Sequence, residues 1–204
     1  MIRPCLDIAS RALQLEQPGS DLCSVWFREG QGAYQLRLAH YVLGGGEAGL
    51  LYGEHTDYDG LTFLWRNRSN GLQAWLEGQW RDIPLLETDP NALLINLGDL
   101  MEFWTCSSWH SPLHRVARCP TTEGTQADLV SVVMFAGPHP DTKLSPLLSP
   151  LLPSSTSTED SPPITAGQHV RAKIGLTATQ AAWSALIGPA SSRLGSHWLK
   201  FLMP

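Results

Sequence analysis

From Ala33 onward, the chain is divided into short segments in which apolar and polar residues alternate, with turn residues between them. This two-residue period is typical of strands that bury one face. Asp59-Gly60 and Glu77-Gly78 are dipeptides that favour tight turns. About seven or eight short strands therefore predict a mainly β fold of the sandwich, jelly-roll or barrel kind. The segments that carry the pattern are residues 33–43, 50–56, 60–66, 71–84, 91–99, 111–119 and 128–137.

The segments on either side of this region have a different character. Residues 5–16 show helical spacing of apolar side chains and are predicted to form a helix that ends before Pro18-Gly19. Residues 142–163 are rich in Ser, Pro and Leu, which predicts a long loop because proline lacks a backbone donor. Thr165 and Gln168 have the spacing of a capping box, so a helix is expected to begin there.

The charge and composition argue against several classes of partner. The net charge is -5, and a nucleic-acid surface requires clustered Lys and Arg. No apolar run has the length of a membrane span, and the first ten residues contain no apolar core of a secretory signal. We therefore expect a cytoplasmic protein with neither a membrane nor a nucleic-acid partner. The four cysteines form no Cys-x-x-Cys pair and are expected to be buried free thiols.

His55 and Asp57 form a His-x-Asp pair at the end of a predicted strand. On a strand, residues two apart face the same way, so both side chains can reach one point. Two imidazoles and one carboxylate leave positions open on a metal and suit non-haem Fe(II) chemistry with oxygen. An isolated His-x-Asp pair also occurs at ordinary strand ends, where it caps a turn. The candidates for a second imidazole are His40, His110, His114, His139, His169 and His197.

Several sequence blocks around this pair occur in a characteristic order. The blocks are "RLAHY", "GEHTDYDGLTFL", "NGLQAW", "GQWRDIP", "NALLINLGDLMEFWT" and "SPLHRV". Together they resemble the iron- and 2-oxoglutarate-dependent oxygenases of the isopenicillin N synthase-like superfamily. The resemblance implies a double-stranded β-helix, or jelly roll, with flanking helices. It divides the chain into residues 1–32, a remnant of an N-terminal helical region, residues 33–141, the jelly-roll dioxygenase domain, and residues 142–204, a Pro/Ser-rich loop and a C-terminal helix.

The resemblance also implies a set of site residues and cofactors. His55, Asp57 and His114 match the metal ligands of the family, with His110 as the local competitor of His114. Fe(II), 2-oxoglutarate, O2 and a small organic substrate are then expected, and ascorbate is a candidate reductant. Tyr41 lies where the family has a tyrosine that reaches the co-substrate, although a strand tyrosine is more often a core residue.

One position departs from the family pattern. The family binds the distal carboxylate of 2-oxoglutarate with an arginine two residues before a serine. Here Ser131 is present and, like Tyr41, is expected from the resemblance to bind the co-substrate, but Leu129 occupies the arginine position. A leucine cannot bind a carboxylate, and an unpaired buried anion is costly. Three alternatives follow: another cation replaces the arginine, the enzyme oxidises its substrate without 2-oxoglutarate, or the protein is a catalytically impaired or non-catalytic jelly roll. The candidate cations are Arg66, Arg68, Arg115 and Arg118.

Overall fold

The computed structural model describes most of the predicted β region and parts of both flanks. The described residues are 1–15, 17–42, 49–67, 71–86, 89, 91–118, 128–152 and 164–175. The helices are α1 (Ile2–Ala12), α2 (Leu22–Trp26) and α3 (Asp99–Trp104), and residues 166–175 are also helical. The strands are β1 (Ala33–Tyr41), β2 (Leu50–His55), β3 (Leu61–Arg66), β4 (Leu72–Leu76), β5 (Gln79–Asp82), β6 (Leu94–Leu97), β7 (His114–Ala117) and β8 (Leu129–Gly137).

The described strands form two four-stranded antiparallel sheets that together enclose a cavity. One sheet has the strand order β1-β8-β3-β6, and the other has the order β2-β7-β4-β5. Apart from the β4–β5 pair, strands that follow each other along the chain, such as β2 and β3 or β6 and β7, lie in different sheets. The chain therefore winds back and forth between the two sheets, and the predicted jelly roll with flanking helices is confirmed.

The strand β3 shows how alternation builds both the core and the cavity. Leu61 and Phe63 are buried in the hydrophobic core outside the jelly roll. Thr62, Leu64 and Arg66 point the other way and line the cavity. The two-residue period of the sequence thus separates an apolar outer face, covered by helices, from an inner face that carries polar side chains.

The core outside the first sheet is closed by the helices. Leu6 of α1, Trp26 of α2 and Trp104 of α3 are fully buried, and the two indole rings lie 5.9 Å apart. The Ser10 hydroxyl donates to the Leu6 carbonyl at 2.7 Å and accepts from the Leu22 backbone N–H at 2.9 Å. This hydroxyl connects α1 to α2 and satisfies a backbone donor at the start of α2.

The N-terminal helix differs from the prediction in its bounds. It begins at Ile2 and ends at Ala12, whereas the sequence pattern predicts residues 5–16. Pro4 lies within the first turn, where the missing N–H of proline would have no helical partner anyway. Helix α2 is not predicted from the sequence, and its five residues are too few to show a helical period.

The predicted hairpin around Glu77-Gly78 is confirmed. Trp75 of β4 pairs with Trp80 of β5, and their rings meet at 5.3 Å. Glu77 and Gly78 both have positive φ angles, of 51° and 81°. Two left-handed residues in sequence are what a tight two-residue hairpin turn requires.

The C-terminal part of the chain is described only over residues 142–152 and 164–175. The capping box is confirmed there: the Thr165 N–H donates to the Gln168 side chain at 2.8 Å, and the Gln168 N–H donates to the Thr165 hydroxyl at 3.3 Å. The rest of the predicted loop and the residues after 175 lie outside the described residues. Within the described part, no helix combines the length and the apolar character needed to cross a membrane.

The cysteines agree with the prediction in part. Cys5, Cys23 and Cys106 are free thiols, but each is half-buried rather than buried. Cys119 lies outside the described residues.

Candidate metal centre

Three side chains from β2, the loop that follows it and β7 meet at one edge of the second sheet. His55 is the last residue of β2, Asp57 follows two residues later, and His114 begins β7. β2 and β7 are antiparallel neighbours in which His55 pairs directly with His114. The Nε2 atoms of His55 and His114 lie 4.0 and 3.7 Å from Oδ1 of Asp57. One donor atom from each residue lies within 4.8 Å of the others, which is close enough for all three to bind a single ion.

Both imidazole rings are oriented by backbone carbonyls. Nδ1 of His55 lies 2.7 Å from the Gly53 carbonyl oxygen, and Nδ1 of His114 lies 3.0 Å from that of Pro112. Because a carbonyl only accepts, each Nδ1 carries the proton in the neutral ring and donates it. The Nε2 lone pairs are then left for the space beside Asp57, as a metal ligand requires.

The carboxylate of Asp57 is oriented in the same way by Asn96 of β6. The Asn96 side-chain N–H donates to Oδ2 of Asp57 at 2.7 Å, while Oδ1 is the oxygen nearest the imidazoles. Asp57 is 5% exposed. The sequence does not identify Asn96 as a site residue, since the block "NLGDL" has the composition of an ordinary turn.

The loop that carries Asp57 is held in place by the start of α3. The Asp99 N–H donates to the Asp57 carbonyl at 2.8 Å, and the Leu100 N–H donates to that of Asp59 at 3.2 Å. Gly98 lies against this loop so closely that an added Cβ would come within 2.0 Å of the Asp59 carbonyl oxygen. Only glycine allows this approach, and Gly98 of the "NLGDL" block therefore lets α3 pack closely against the loop that carries Asp57.

The electrostatics of the cluster suit a divalent cation. Burial, and then the neighbouring His114, lower the pKa of His55 to about 4, so this ring is neutral at physiological pH. The cluster therefore offers neutral imidazole nitrogen and one carboxylate, a donor set that suits Fe(II) and leaves further coordination positions for other ligands. The residues present fit the metal that the sequence resemblance implies.

The other described histidines lie elsewhere. His110, the local competitor of His114, lies 3.5 Å from Glu102 with a side chain that is 74% exposed. His40 contacts Asp128 at 2.7 Å on the surface, and His139 lies 3.8 Å from Asp141. His169 is buried in the C-terminal helical segment, and His197 lies outside the described residues.

The three side chains line one part of the cavity between the sheets, which has a volume of about 280 Å³. Its walls are mostly apolar, with Leu64, Leu72 and Val133 among them. Tyr41 and Ser131, the two residues predicted to bind the co-substrate, both line this cavity. Burial raises the pKa of the Tyr41 hydroxyl, so it keeps its proton at physiological pH and can donate a hydrogen bond.

Leu129 is buried in the wall of the same cavity, and two arginines among the described residues also line it. They are Arg66 of β3 and Arg37 of β1. Arg115 lies elsewhere, since it donates to Gln73 at 2.9 Å and to Glu54 at 3.0 Å. Of the four cations predicted as replacements, Arg66 lines the cavity, Arg115 and Arg118 do not, and Arg68 lies outside the described residues.

Residues 35–138, just over half of the chain, match the family described as the 2OG-Fe(II) oxygenase superfamily. Validamycin A dioxygenase of Streptomyces hygroscopicus subsp. limoneus is 39% identical over 107 residues, which are 52% of this chain and 28% of that enzyme. The chain thus spans well under half the length of this curated relative.

Solved structures show the same fold. A full-length Neurospora crassa protein in complex with alpha-KG has a TM-score of 0.58 and 26% identity over 71% of this chain and 45% of that chain. A 2OG-Fe(II) oxygenase family protein from Caulobacter crescentus has a TM-score of 0.64 and 25% identity over 82% of this chain and 52% of that chain. Family match, fold and the clustered His-x-Asp and distant histidine agree, and the chain belongs to the 2OG-Fe(II) oxygenase superfamily.

Proposed function

We propose that this protein is an Fe(II)- and 2-oxoglutarate-dependent oxygenase that oxidises a small organic substrate with O2. The observation that carries the proposal is the convergence of His55, Asp57 and His114 beside a mostly apolar cavity. In the overall reaction, 2-oxoglutarate and O2 yield succinate and CO2 while one oxygen atom enters a C–H bond of the substrate. Fe(II), when bound, supplies the redox chemistry for this conversion.

The protein residues have distinct roles in this proposal. His55 and His114 bind the metal through Nε2, because their Nδ1–H groups are bonded to backbone carbonyls. Asp57 binds through Oδ1, since Oδ2 accepts from Asn96. The apolar walls exclude water from the reacting groups and strengthen the electrostatic interactions inside the cavity. Tyr41 and Ser131 offer hydroxyl donors to the carboxylates of the co-substrate.

The substrate class follows from the cavity and the charge of the chain. A cavity of about 280 Å³ with mostly apolar walls suits a small organic molecule rather than a polymer. The net charge of -5 gives no support to a nucleic-acid substrate. The relative that is named for validamycin A supports the same class of substrate.

Succinate formation tests this function. The wild-type protein, supplied with Fe(II), 2-oxoglutarate and O2, is expected to release succinate and CO2. His114→Ala removes one metal ligand, so we expect this activity to fall by at least about 100-fold, whereas the matched variant His110→Ala should keep it, because His110 lies outside the cluster. Succinate release that survives His114→Ala would contradict the assignment of this ligand.

Because Leu129 replaces the arginine that binds 2-oxoglutarate in the family, two alternative functions also need a test. A co-substrate-independent oxidase would consume O2 with its substrate and form no succinate, and a non-catalytic jelly roll would do neither. The same assay, run with an oxygen electrode, therefore distinguishes all three.

A further inference from the structure

The inner face of the first sheet places an arginine beside Leu129. Arg66 of β3 pairs directly with Ser131 of β8, and Leu129 lies two residues before Ser131 on the same face. Diagonal neighbours on adjacent antiparallel strands are roughly 7–8 Å apart, which is within the reach of an arginine side chain. The guanidinium of Arg66 can therefore reach the part of the cavity that the guanidinium of an arginine at position 129 would occupy.

We propose that Arg66, together with the hydroxyl of Ser131, binds the distal carboxylate of the 2-oxo acid co-substrate in this protein. This role rests on the proposed function. In it, Arg66 supplies the positive charge that Leu129 cannot supply at that end of the cavity. Arg66 is then a residue that sets the specificity of the site for a dicarboxylate.

The burial of Arg66 supports this assignment. The residue is 3% exposed, and burial lowers the pKa of its guanidinium, against an opposing effect from Asp82. The Nη2 group donates to the carbonyl oxygens of Ile83 and Pro84, the latter at 3.0 Å. These carbonyl groups orient the guanidinium, and a carboxylate bound in the cavity would add charge-assisted hydrogen bonds to it.

Asp82 acts on Arg66 from outside the cavity. The Asp82 carboxylate accepts from the Gln73 side chain at 3.1 Å, and Asp82 is exposed, whereas Arg66 lines the inner wall. Solvent screens the surface charge of Asp82, so its effect on the buried guanidinium is weaker than that of an anion inside the cavity would be.

The chemistry around Arg66 matches a carboxylate. A guanidinium presents planar paired donors that fit the two oxygens of a carboxylate, and the Ser131 hydroxyl, on a residue that is 6% exposed, adds a third donor. Leu64 and Leu129 line the cavity beside them. A charge-assisted hydrogen bond is stronger in such apolar surroundings than in water.

The position of Arg66 relative to the metal centre also fits. Thr62 of β3 pairs with Asn96, which holds Asp57, and Arg66 lies four residues further along the same cavity face. The cavity wall thus runs from the metal centre to the guanidinium. The proposal requires that a linear molecule with a 2-oxo acid at one end and a carboxylate at the other contacts both.

Arg37, the other arginine in the described part of the cavity wall, is less suited to this role. Its Nη1 donates to the Tyr52 hydroxyl at 3.0 Å, and its guanidinium lies 4.7 Å from the centre of the Tyr52 ring. Arg37 is also exposed, so solvent already stabilises its charge. It therefore provides a matched control for Arg66.

Co-substrate binding, measured without turnover, tests the proposal. Isothermal titration calorimetry of the Fe(II)-loaded protein under anaerobic conditions would compare 2-oxoglutarate with 2-oxobutyrate, which has the 2-oxo acid but no distal carboxylate. For Arg66→Gln, we expect affinity for 2-oxoglutarate to fall by on the order of 100-fold and affinity for 2-oxobutyrate to be unchanged. Arg37→Gln should leave both affinities within about threefold of wild type.

Further variants separate binding from folding. Thermal unfolding and Fe(II) affinity would show that Arg66→Gln remains folded and loaded, and Arg66→Lys should recover part of the affinity because it restores the charge. Moving the cation to β8 in the double variant Arg66→Gln/Leu129→Arg should also restore 2-oxoglutarate binding.

Two results would overturn the proposal. Equal affinity of wild type and Arg66→Gln for 2-oxoglutarate would remove the role of Arg66 and leave the proposed function intact. Equal losses for 2-oxoglutarate and 2-oxobutyrate would show that Arg66 only supports the structure. A wild-type protein that binds Fe(II) but no 2-oxoglutarate would instead refute the co-substrate of the proposed function, and that result appears before any variant is made.

Discussion

At the scale of single residues, the metal centre depends on side chains that orient others. Asn96 contacts Asp57 through one hydrogen bond of 2.7 Å, and the imidazoles depend on carbonyl oxygens that no side-chain substitution removes. Removing a residue that hydrogen-bonds to a metal ligand commonly lowers metal affinity by about 10- to 100-fold.

Asn96→Ala is therefore predicted to weaken Fe(II) binding by about 10- to 100-fold while the protein stays folded. Without the amide donor, the carboxylate of Asp57 is no longer held with Oδ1 toward the imidazoles. Anaerobic Fe(II) titration followed by calorimetry measures the change. Asn91→Ala, in an exposed position just before β6, is the control and should bind Fe(II) as wild type does. Unchanged affinity in Asn96→Ala would show that Asp57 needs no such support.

Part of the centre could be predicted from its residues alone. The spacing of His55 and Asp57 was sufficient to predict that both side chains reach one point, although Asp57 lies in the loop after β2 rather than on the strand. The second imidazole could not be chosen this way, since six other histidines were candidates and the resemblance was needed to select His114. The pairing of β2 with β7, which brings His55 opposite His114, depends on contacts between distant segments. Sequence spacing carries no information about that distance.

At the scale of elements, strands were easier to predict than helices. Each predicted strand segment contains a strand, because alternation with a period of two persists over even four or five residues. Helices α2 and α3 have five and six residues, too few for a helical period to appear. They form because tertiary contacts hold them, as the burial of Trp26 and Trp104 shows.

The C-terminal helical segment packs against α3 through charged and titratable groups. Lys173 lies 2.7 Å from the carboxylate of Asp99, and His169 is 4% exposed with an Nε2 atom that has no hydrogen-bond partner within the described structure. Burial lowers the pKa of His169, with a further lowering from Lys173 and an opposing effect from Asp99. The folded protein therefore holds this imidazole neutral at a pH where the unfolded chain already protonates it.

This difference predicts that stability falls as the pH drops. Above about pH 6.5, His169 is neutral in both states, and below that value the unfolded chain binds a proton that the folded protein resists. The free energy of unfolding should therefore decrease as the pH falls from about 6.5 toward the lowered pKa. In His169→Met, urea unfolding at pH 5 to 8 should show a shallower decrease, and the exposed-site control His110→Gln should follow wild type. Identical slopes for His169→Met and wild type would contradict this account.

At the scale of the whole molecule, the sequence pattern predicts about seven or eight strands but not the order in which they lie in the two sheets. The arrangement β1-β8-β3-β6 places β3 beside β8, although more than sixty residues separate them along the chain. The pairing of β3 with β8 places Arg66 diagonally opposite Leu129. The cavity therefore contains a guanidinium although the family's arginine is replaced by leucine at position 129. From the sequence alone, Arg66 was one of four equal candidates.

We propose above all that His55, Asp57 and His114 hold one metal ion at the cavity between the sheets. The most direct measurement is a crystal structure of the Fe(II)-loaded protein with anomalous diffraction at the iron edge. We expect a single strong anomalous peak about 2.1 Å from Nε2 of His55, Nε2 of His114 and an oxygen of Asp57. A peak at His110, or a loaded protein with no peak at this cluster, would contradict it.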